Sequence, residues 1–393
     1  MHYGLVIVIS SAFIAFLVGG FVFYGFTAFF EAIVAEMGFS YAKVSFAGSL
    51  RGLEMSILAP FAGYLVDRFG ARKLAIFGVM VSGLGIMLLG FTRSLPTFYL
   101  AFLLLAFGAG GCSGIVLTTS VVNWFKDKQG LAIGAVSSGF ALSGLLIPVI
   151  VHLIDKFGWR ETLYIAGMAM WVIGIPLSIL IKENPEAVSL RGNDQISGLR
   201  GFKPIMGEKS FFVLSLSEFL RYMIVSTVVI HIMPCLSSLG IERSRASFIA
   251  SLIPVTSILG RFGFGLLADI FDRKHTMAVT GLFVMVSMLF LLEGAIFPFI
   301  LFFSVGYGGG ISVRGALLAE YFDARTYGKA LGLLMALASV GGVIGPPLAG
   351  MIFDKMGSYK FVWLIYFFCA GLSTAAILIL KKKHGAKENR ISE

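Results

Sequence analysis

Residues 63–73 read GYLVDRFGARK, and the second half of the chain returns to the phrase at residues 265–274 as GLLADIFDRK. Each copy is a short charged break between two long apolar runs: residues 44–66 and 74–91 flank the first, residues 247–268 and 276–292 the second. A longer echo accompanies it. At a constant offset of 198 residues, Gly108, Gly130, Gly134, Gly144 and Pro148 fall on Gly306, Gly328, Gly332, Gly342 and Pro346. Two related halves follow, a recurrent design of membrane carriers in which the solute site lies between the repeats near the midplane.

Working outward from the repeated break, apolar runs recur along the whole chain, at residues 5–30, 44–66, 74–91, 96–124, 130–154, 163–181, 211–236, 247–268, 276–292, 297–321, 328–353 and 361–380. A helical span needs about 20 such residues. With 58% hydrophobic and 13% charged residues over 393 positions, and a mean hydropathy of +0.92, the chain is far too apolar for a soluble core. The runs are too long for the alternating strands of an outer-membrane barrel. The expected fold is therefore an all-α membrane protein of twelve transmembrane helices in two pseudo-symmetric six-helix bundles. Residues 1–182 form the first bundle, 183–209 a polar cytoplasmic linker, 210–381 the second bundle and 382–393 a tail. The first run is too long for a signal-peptide core and lacks a Lys/Arg start, so it reads as a retained span. Cys112, Cys235 and Cys369 fall inside runs and read as small apolar residues.

The 31 Lys and Arg outnumber the 21 Asp and Glu by 10. With both termini placed in the cytoplasm, most of the basic residues gather on that side, among them Arg68, Arg72, Lys73, Lys126, Lys128 and Lys381–Lys383. That is the positive-inside asymmetry of a multi-pass protein of the cytoplasmic membrane. The charge reads as topology and contact with anionic lipid heads. Basic residues scattered over short loops do not suit a nucleic acid.

Charges inside spans cost about 2.5–3.5 kcal/mol each on insertion scales, so each needs a partner or a cavity. Arg51, Arg221, Arg261 and Arg314 are so placed, and two carboxylates answer locally: Glu54 three residues after Arg51, and Glu218 three before Arg221, each pair on one helical face. The first pair is either a self-neutralising device or part of a solute or proton site, and Glu54 is the proton-carrier candidate because burial and the nearby guanidinium pull its proton affinity in opposite directions. The second reads as a structural pair. Arg261 and Arg314 have no acidic residue within one turn, and a guanidinium fork matches a carboxylate, so both are anion-site candidates. His231, on span seven, is either a hydrogen-bonded structural group or a member of the site. Tyr24, on span one, offers a hydroxyl that can donate to a carboxylate. Asp67, Arg68, Arg72, Asp269 and Arg273 sit at matching loop ends, either as gating ion pairs or as plain topology charge. Glycine rows at 108–114, 306–310 and 341–345 permit close helix approach, and Pro148, Pro346 and Pro347 are placed to kink spans five and eleven.

The repeated GYLVDRFGARK phrase between spans two and three, and again between eight and nine, resembles the loop signature of the major facilitator superfamily. The first-span stretch GGFVFYGFTAFF, WFKDKQGLAIG at residues 124–134 and HIMPCLSSLG from His231 resemble the monocarboxylate transporter branch and its bacterial relatives. The resemblance implies a twelve-helix, two-bundle carrier working by alternating access, a small organic anion as solute, and a substrate arginine on span eight that falls on Arg261. The branch's proton-coupling aspartate one turn earlier is here Ser257, and the lysine of the animal carriers' first span falls on Tyr24.

There is no phosphate-binding loop, no zinc-protease motif and no Cys/His cluster with metal-ligand spacing, so neither an enzyme nor a cofactor is expected. A secondary transporter of a small organic anion, with or without a proton, is the expected function, with the lipid bilayer as its surroundings; the sequence is compatible with a monomer and leaves the oligomeric state open. A proton-coupled exporter of a hydrophobic solute and a transporter-like nutrient sensor are the rivals.

Overall fold

The computed structural model of the protein describes residues 2–122, 124–125, 129–182, 203–322 and 324–380, and no strand occurs among them. The linker from 183 to 202, the tail from 381, Lys126 and Lys128 lie outside the described residues, as do the side chains of Arg51, Glu54 and Asp67. Eleven helical stretches are long and apolar enough to cross a bilayer: α1 Tyr3–Met37, α3 Ala71–Phe91, α4 Leu95–Val122, α5 Gln129–Phe157, α6 Trp159–Leu180, α7 Lys209–Ser238, α8 Arg243–Ile270, α9 Arg273–Leu292, α10 Ile296–Tyr321, α11 Thr326–Met356 and α12 Lys360–Ile379. The 29-residue helix α2, Tyr41–Phe69, completes the twelve. Each expected span falls on one of these helices.

Local chemistry sets the ends. Ser40 accepts from the Lys43 N–H at the start of α2, and Asp272 from the His275 N–H at the start of α9, satisfying amide groups that no preceding turn can reach. Gly158 and Gly357 end α5 and α11 at φ 88° and 63°, backbone that a β-carbon disfavours.

Two helices are irregular near their middles. In α1, residues Gly19–Tyr24 form a π-helical turn, closed by the Gly25 N–H on the Gly20 carbonyl at 2.8 Å. In α5 the helix tightens to 3-10 over Ser143–Leu145, just ahead of Pro148, whose missing N–H frees the Gly144 carbonyl. The α11 helix runs through Pro346 and Pro347 without interruption.

Large apolar side chains such as Leu131, Phe297 and Phe91 stand on the outside, 75%, 74% and 68% exposed, as helices solvated by lipid require. Buried hydroxyls such as those of Thr162 and Ser178 donate back to the carbonyls of Gly158 and Gly174, the usual resolution in a helix without water.

The chain divides into two compact units. The first comprises Met1–Asp194, Val225–Val255 and Gly342–Val362, the second Gln195–Ile224, Thr256–Gly341 and Trp363–Glu393. In the first unit α3 packs against α4 and α6, close enough that a β-carbon on Gly108 would collide with Ser82. Phe26, Phe98 and Phe102 stack edge-on there at 5.0 Å. The second unit has its own core of Phe211, Phe264, Val313, Leu317, Leu334 and Ile377.

Candidate functional site

In the second unit, Glu218, Arg221 and Tyr222 project from one face of α7, as residues three and four apart must. The sequence spacing pairs Glu218 with Arg221, and the structure corrects that. The Glu218 carboxylate, 1% exposed, instead accepts from Arg314 on α10, Oε2 to Nη1 at 3.1 Å. Arg221 turns into the bundle, donating to the Gly306 carbonyl at 2.6 Å and to Thr280 Oγ1 at 3.3 Å. Helix packing decided this: a β-carbon on Gly310 would overlap the Arg221 guanidinium, so the glycine run of α10 opens the space that draws Arg221 away from its sequence neighbour. Arg314 is thus not the isolated cation its own helix suggests. Its guanidinium carbon also lies 5.9 Å from the Tyr222 ring centroid, and its side chain is 15% exposed.

The same glycine run seats α8. The buried Ser257 has its carbonyl against Gly308, the ring of Phe264 lies on Gly309, and Gly260 rests on the Val305 carbonyl. Arg261, half-buried, stands one turn beyond Ser257 on α8. Arg261, Ser257 and the Glu218–Arg314 pair are therefore carried by three helices that meet on α10. Ser217 on α7 and Ser373 on α12 exchange a hydroxyl contact at 2.9 Å, which steadies α7 from its far side.

The loop-end candidates of this unit are separate from that cluster. Arg273 donates to the Ala316 carbonyl at 3.1 Å and lies 3.7 Å from Glu320, while Asp269 is exposed. In the first unit Arg68 covers the Phe69 ring at 5.4 Å and Arg72 is exposed.

The first unit holds Tyr24 and His231. Tyr24 ends the π-helical turn of α1 and is 8% exposed. His231, fully buried, is ringed by partners: Nε2 lies 2.9 Å from Ser45 Oγ and 3.0 Å from the Pro346 carbonyl, and Nδ1 lies 2.8 Å from the Tyr359 hydroxyl. A carbonyl can only accept, so Nε2 carries the hydrogen of the neutral ring and Nδ1 accepts from Tyr359. Tyr359 sits in the α11–α12 turn, where burial pushes its phenol well above the ordinary value. His231 is here a connector of α2, α7 and α11, not a lone group facing solute.

Around it the first unit holds contacts that sequence reading did not find. Asp354, at the end of α11, accepts from the backbone N–H groups of Tyr41 and Ala42 at 2.9 and 3.0 Å, a carboxylate on the N-terminus of α2. Arg243, opening α8, meets Asp155 of α5 at 3.1 Å and the Ala28 carbonyl at 3.1 Å. Met233 N–H reaches Thr27 Oγ1 at 3.1 Å. A signal did exist: Asp155-Lys156-Phe157-Gly158 and Asp354-Lys355-Met356-Gly357 are repeats, so the two carboxylates occupy matching ends of α5 and α11. Each binds the start of a helix from the other sequence half.

Comparison with known proteins bears on what this arrangement serves. A family model described as Major Facilitator Superfamily matches residues 12–231 and 210–393. Monocarboxylate transporter 10 of Homo sapiens is 25% identical over 379 residues, 89% of this chain and 72% of the relative. The Agnestins efflux protein AgnL12 of Paecilomyces divaricatus is 26% identical over 341 residues, 84% of this chain and 76% of the relative. Among solved structures, the nucleoside transporter NupG (D323A mutant) superposes with a TM-score of 0.80 at 15% identity, covering 96% of this chain and 99% of that one.

Proposed function

We propose that this chain, which belongs to the Major Facilitator Superfamily, moves a small organic anion across the cytoplasmic membrane by alternating access, with both termini on the cytoplasmic side. That it is a multi-pass transporter, and not an enzyme, follows from the family. The observation that carries the anion reading is the charge balance of one cluster in the second unit: the guanidinium groups of Arg221, buried, and Arg314, 15% exposed, against the buried carboxylate of Glu218 on facing helices. A low-dielectric site with surplus fixed positive charge favours an anion, and the Arg314 fork has five N–H donors, more than its contact with Glu218 uses. Arg261 and Ser257 of α8, which packs on α10 through Gly308 and Gly309, complete the proposed site. Similarity to Monocarboxylate transporter 10 supports a monocarboxylate-like solute. We assign residues 1–182 and 210–381 as the moving bundles, 183–209 as their linker and 382–393 as a tail. We assign the charged groups Asp67, Arg68, Arg72, Asp269 and Arg273 to the inner gate.

A second reading, export of a hydrophobic solute, is favoured by similarity to the Agnestins efflux protein and by an apolar cleft in the first unit lined by Phe21, Phe26, Phe29, Phe98 and Phe102. Thermal-shift measurements on purified protein separate the two. Under the anion reading, small mono- and dicarboxylates stabilise the wild type, by about 2.7 kcal/mol at a hundredfold excess over Kd, and Arg261→Ala or Arg314→Gln abolishes the shift. A shift from an uncharged hydrophobic compound that survives both substitutions would sink it.

A further inference from the structure

Arg221 is 8% exposed on a helix long and apolar enough to span the bilayer, and among the described residues its fork meets no carboxylate. It reaches the Gly306 carbonyl at 2.6 Å, Thr280 Oγ1 at 3.3 Å and Met277 Sδ at 3.6 Å. These neutral acceptors satisfy N–H groups and leave the charge unanswered. Glu218, one turn back, is engaged by Arg314. A buried cation without a counter-charge is costly in a protein interior, and more so in lipid.

A cavity adjoins it. Between α7, α9 and α12 its polar wall is made by Arg221, Ser217, Ser373 and Thr374. Its apolar wall includes Ile224, Val284 and Ala370, each no more than 2% exposed, so the space is closed to an organic solute. It has room for one occupant of about the size of a water or a halide. The hydroxyls of Ser217 and Ser373 lie 2.9 Å apart, each reaching the other's carbonyl at 3.1 and 3.0 Å. Thr374 donates to the Ala370 carbonyl at 2.8 Å. A hydroxyl hydrogen rotates to suit its surroundings, so each can trade its carbonyl for an anion without movement of the backbone. Water fills such a space but does not offset the charge.

We infer that this cavity binds a small inorganic monoanion such as chloride, held by Arg221 and the hydroxyls beside it, and that its occupant opposes binding of the transported organic anion. The site itself is independent of the organic-anion reading, and the opposition rests on that reading. Arg221, Arg314 and Glu218 together carry one net positive charge. A monoanion in the cavity cancels it, and so does a monocarboxylate on Arg314. With both bound, the cluster is left with one net negative charge in a low-dielectric interior, so each anion weakens the other, reciprocally and by the same factor. Because the two occupy different places, the opposition saturates: once the cavity is full, further chloride does nothing more.

Purified protein titrated with sodium chloride against sodium isethionate, at equal ionic strength, tests the site by its thermal midpoint. The same titration with acetate, L-lactate or pyruvate present tests the opposition. Chloride is expected to raise the wild-type midpoint, and to raise the apparent Kd of the carboxylate about fivefold before levelling off. Ala370→Val adds bulk to the cavity wall and removes no polar group. It is expected to lose both effects of chloride and to keep the carboxylate Kd measured without it. Thr374→Val, which keeps the shape and removes a hydroxyl, is expected to move the chloride titration to higher concentration. A wild-type midpoint indifferent to chloride in a protein that binds a carboxylate overturns this inference and leaves the organic-anion reading standing. A carboxylate Kd that climbs in proportion to chloride without levelling off also overturns it, since chloride then competes on Arg314, as does a chloride response unchanged in both variants. A chloride response lost in Ala370→Val, in a protein that binds none of the carboxylates, upholds the cavity site and overturns the organic-anion reading together with the opposition.

Discussion

Asp354, the last acidic residue of α11, accepts from the backbone N–H of Tyr41, the first residue of α2, at 2.9 Å across 313 positions of sequence. A carboxylate on two free N–H groups of a helix start gains both charge-assisted hydrogen bonds and the helix dipole. The pair joins the two sequence halves at the end of the molecule that carries the α1–α2 and α11–α12 turns.

That contact should hold this end closed. Losing it costs about 1–1.5 kcal/mol, a five- to tenfold change in an opening equilibrium. Asp354→Asn, in a background with the native cysteines replaced and Ala28→Cys introduced, is expected to label five to ten times faster with a membrane-impermeant maleimide. An unchanged rate would remove Asp354 from the closure.

The matching Asp155 should matter less. Its partner Arg243 is 33% exposed and Asp155 itself 49%, and exposed pairs contribute about 0.2–1 kcal/mol. Arg243 also keeps the Ala28 carbonyl. Asp155→Asn is therefore expected to change the same labelling rate by less than about fivefold.

Tyr359→Phe removes the donor to His231 Nδ1 at a cost of about 1 kcal/mol near neutral pH, read as a lowered thermal midpoint. Because burial raises the Tyr359 phenol above 10.0, the folded state keeps its proton at a pH where the unfolded chain loses it. The stability it contributes is complete below pH 10.0 and is lost above it. The gap between wild type and variant should narrow as pH rises past that value.

Gly310 should tolerate no side chain. Alanine there would displace the Arg221 guanidinium from α10, at about 2–3 kcal/mol for overpacking a buried charge. By contrast Gly332, with open space around its β-position, should accept alanine with a gain of about 0.5–1 kcal/mol. Comparison of the two thermal midpoints checks the pair, and equal effects would show that Arg221 is not seated as described.

The twelve spans, the repeated halves and the family were legible in the sequence because each rests on local information: apolar run length, charged breaks, and phrases that recur at a fixed offset. The cations in the spans were equally visible, since a charge in an apolar run is conspicuous wherever its side chain points. Their partners were not. Spacing joins Glu218 to Arg221, and it took the packing of α7 on the glycine run of α10 to send Glu218 to Arg314 and Arg221 to Gly306. His231 could be read as a structural group or a site member until α2 and α11 closed around it with Ser45, Pro346 and Tyr359. Sequence by itself determined which residues must lie in the bilayer and which charges need an answer there. Tertiary structure decided which group answers each, because in lipid the contact is set by how closely two helix backbones approach, and that distance is a property of both helices together.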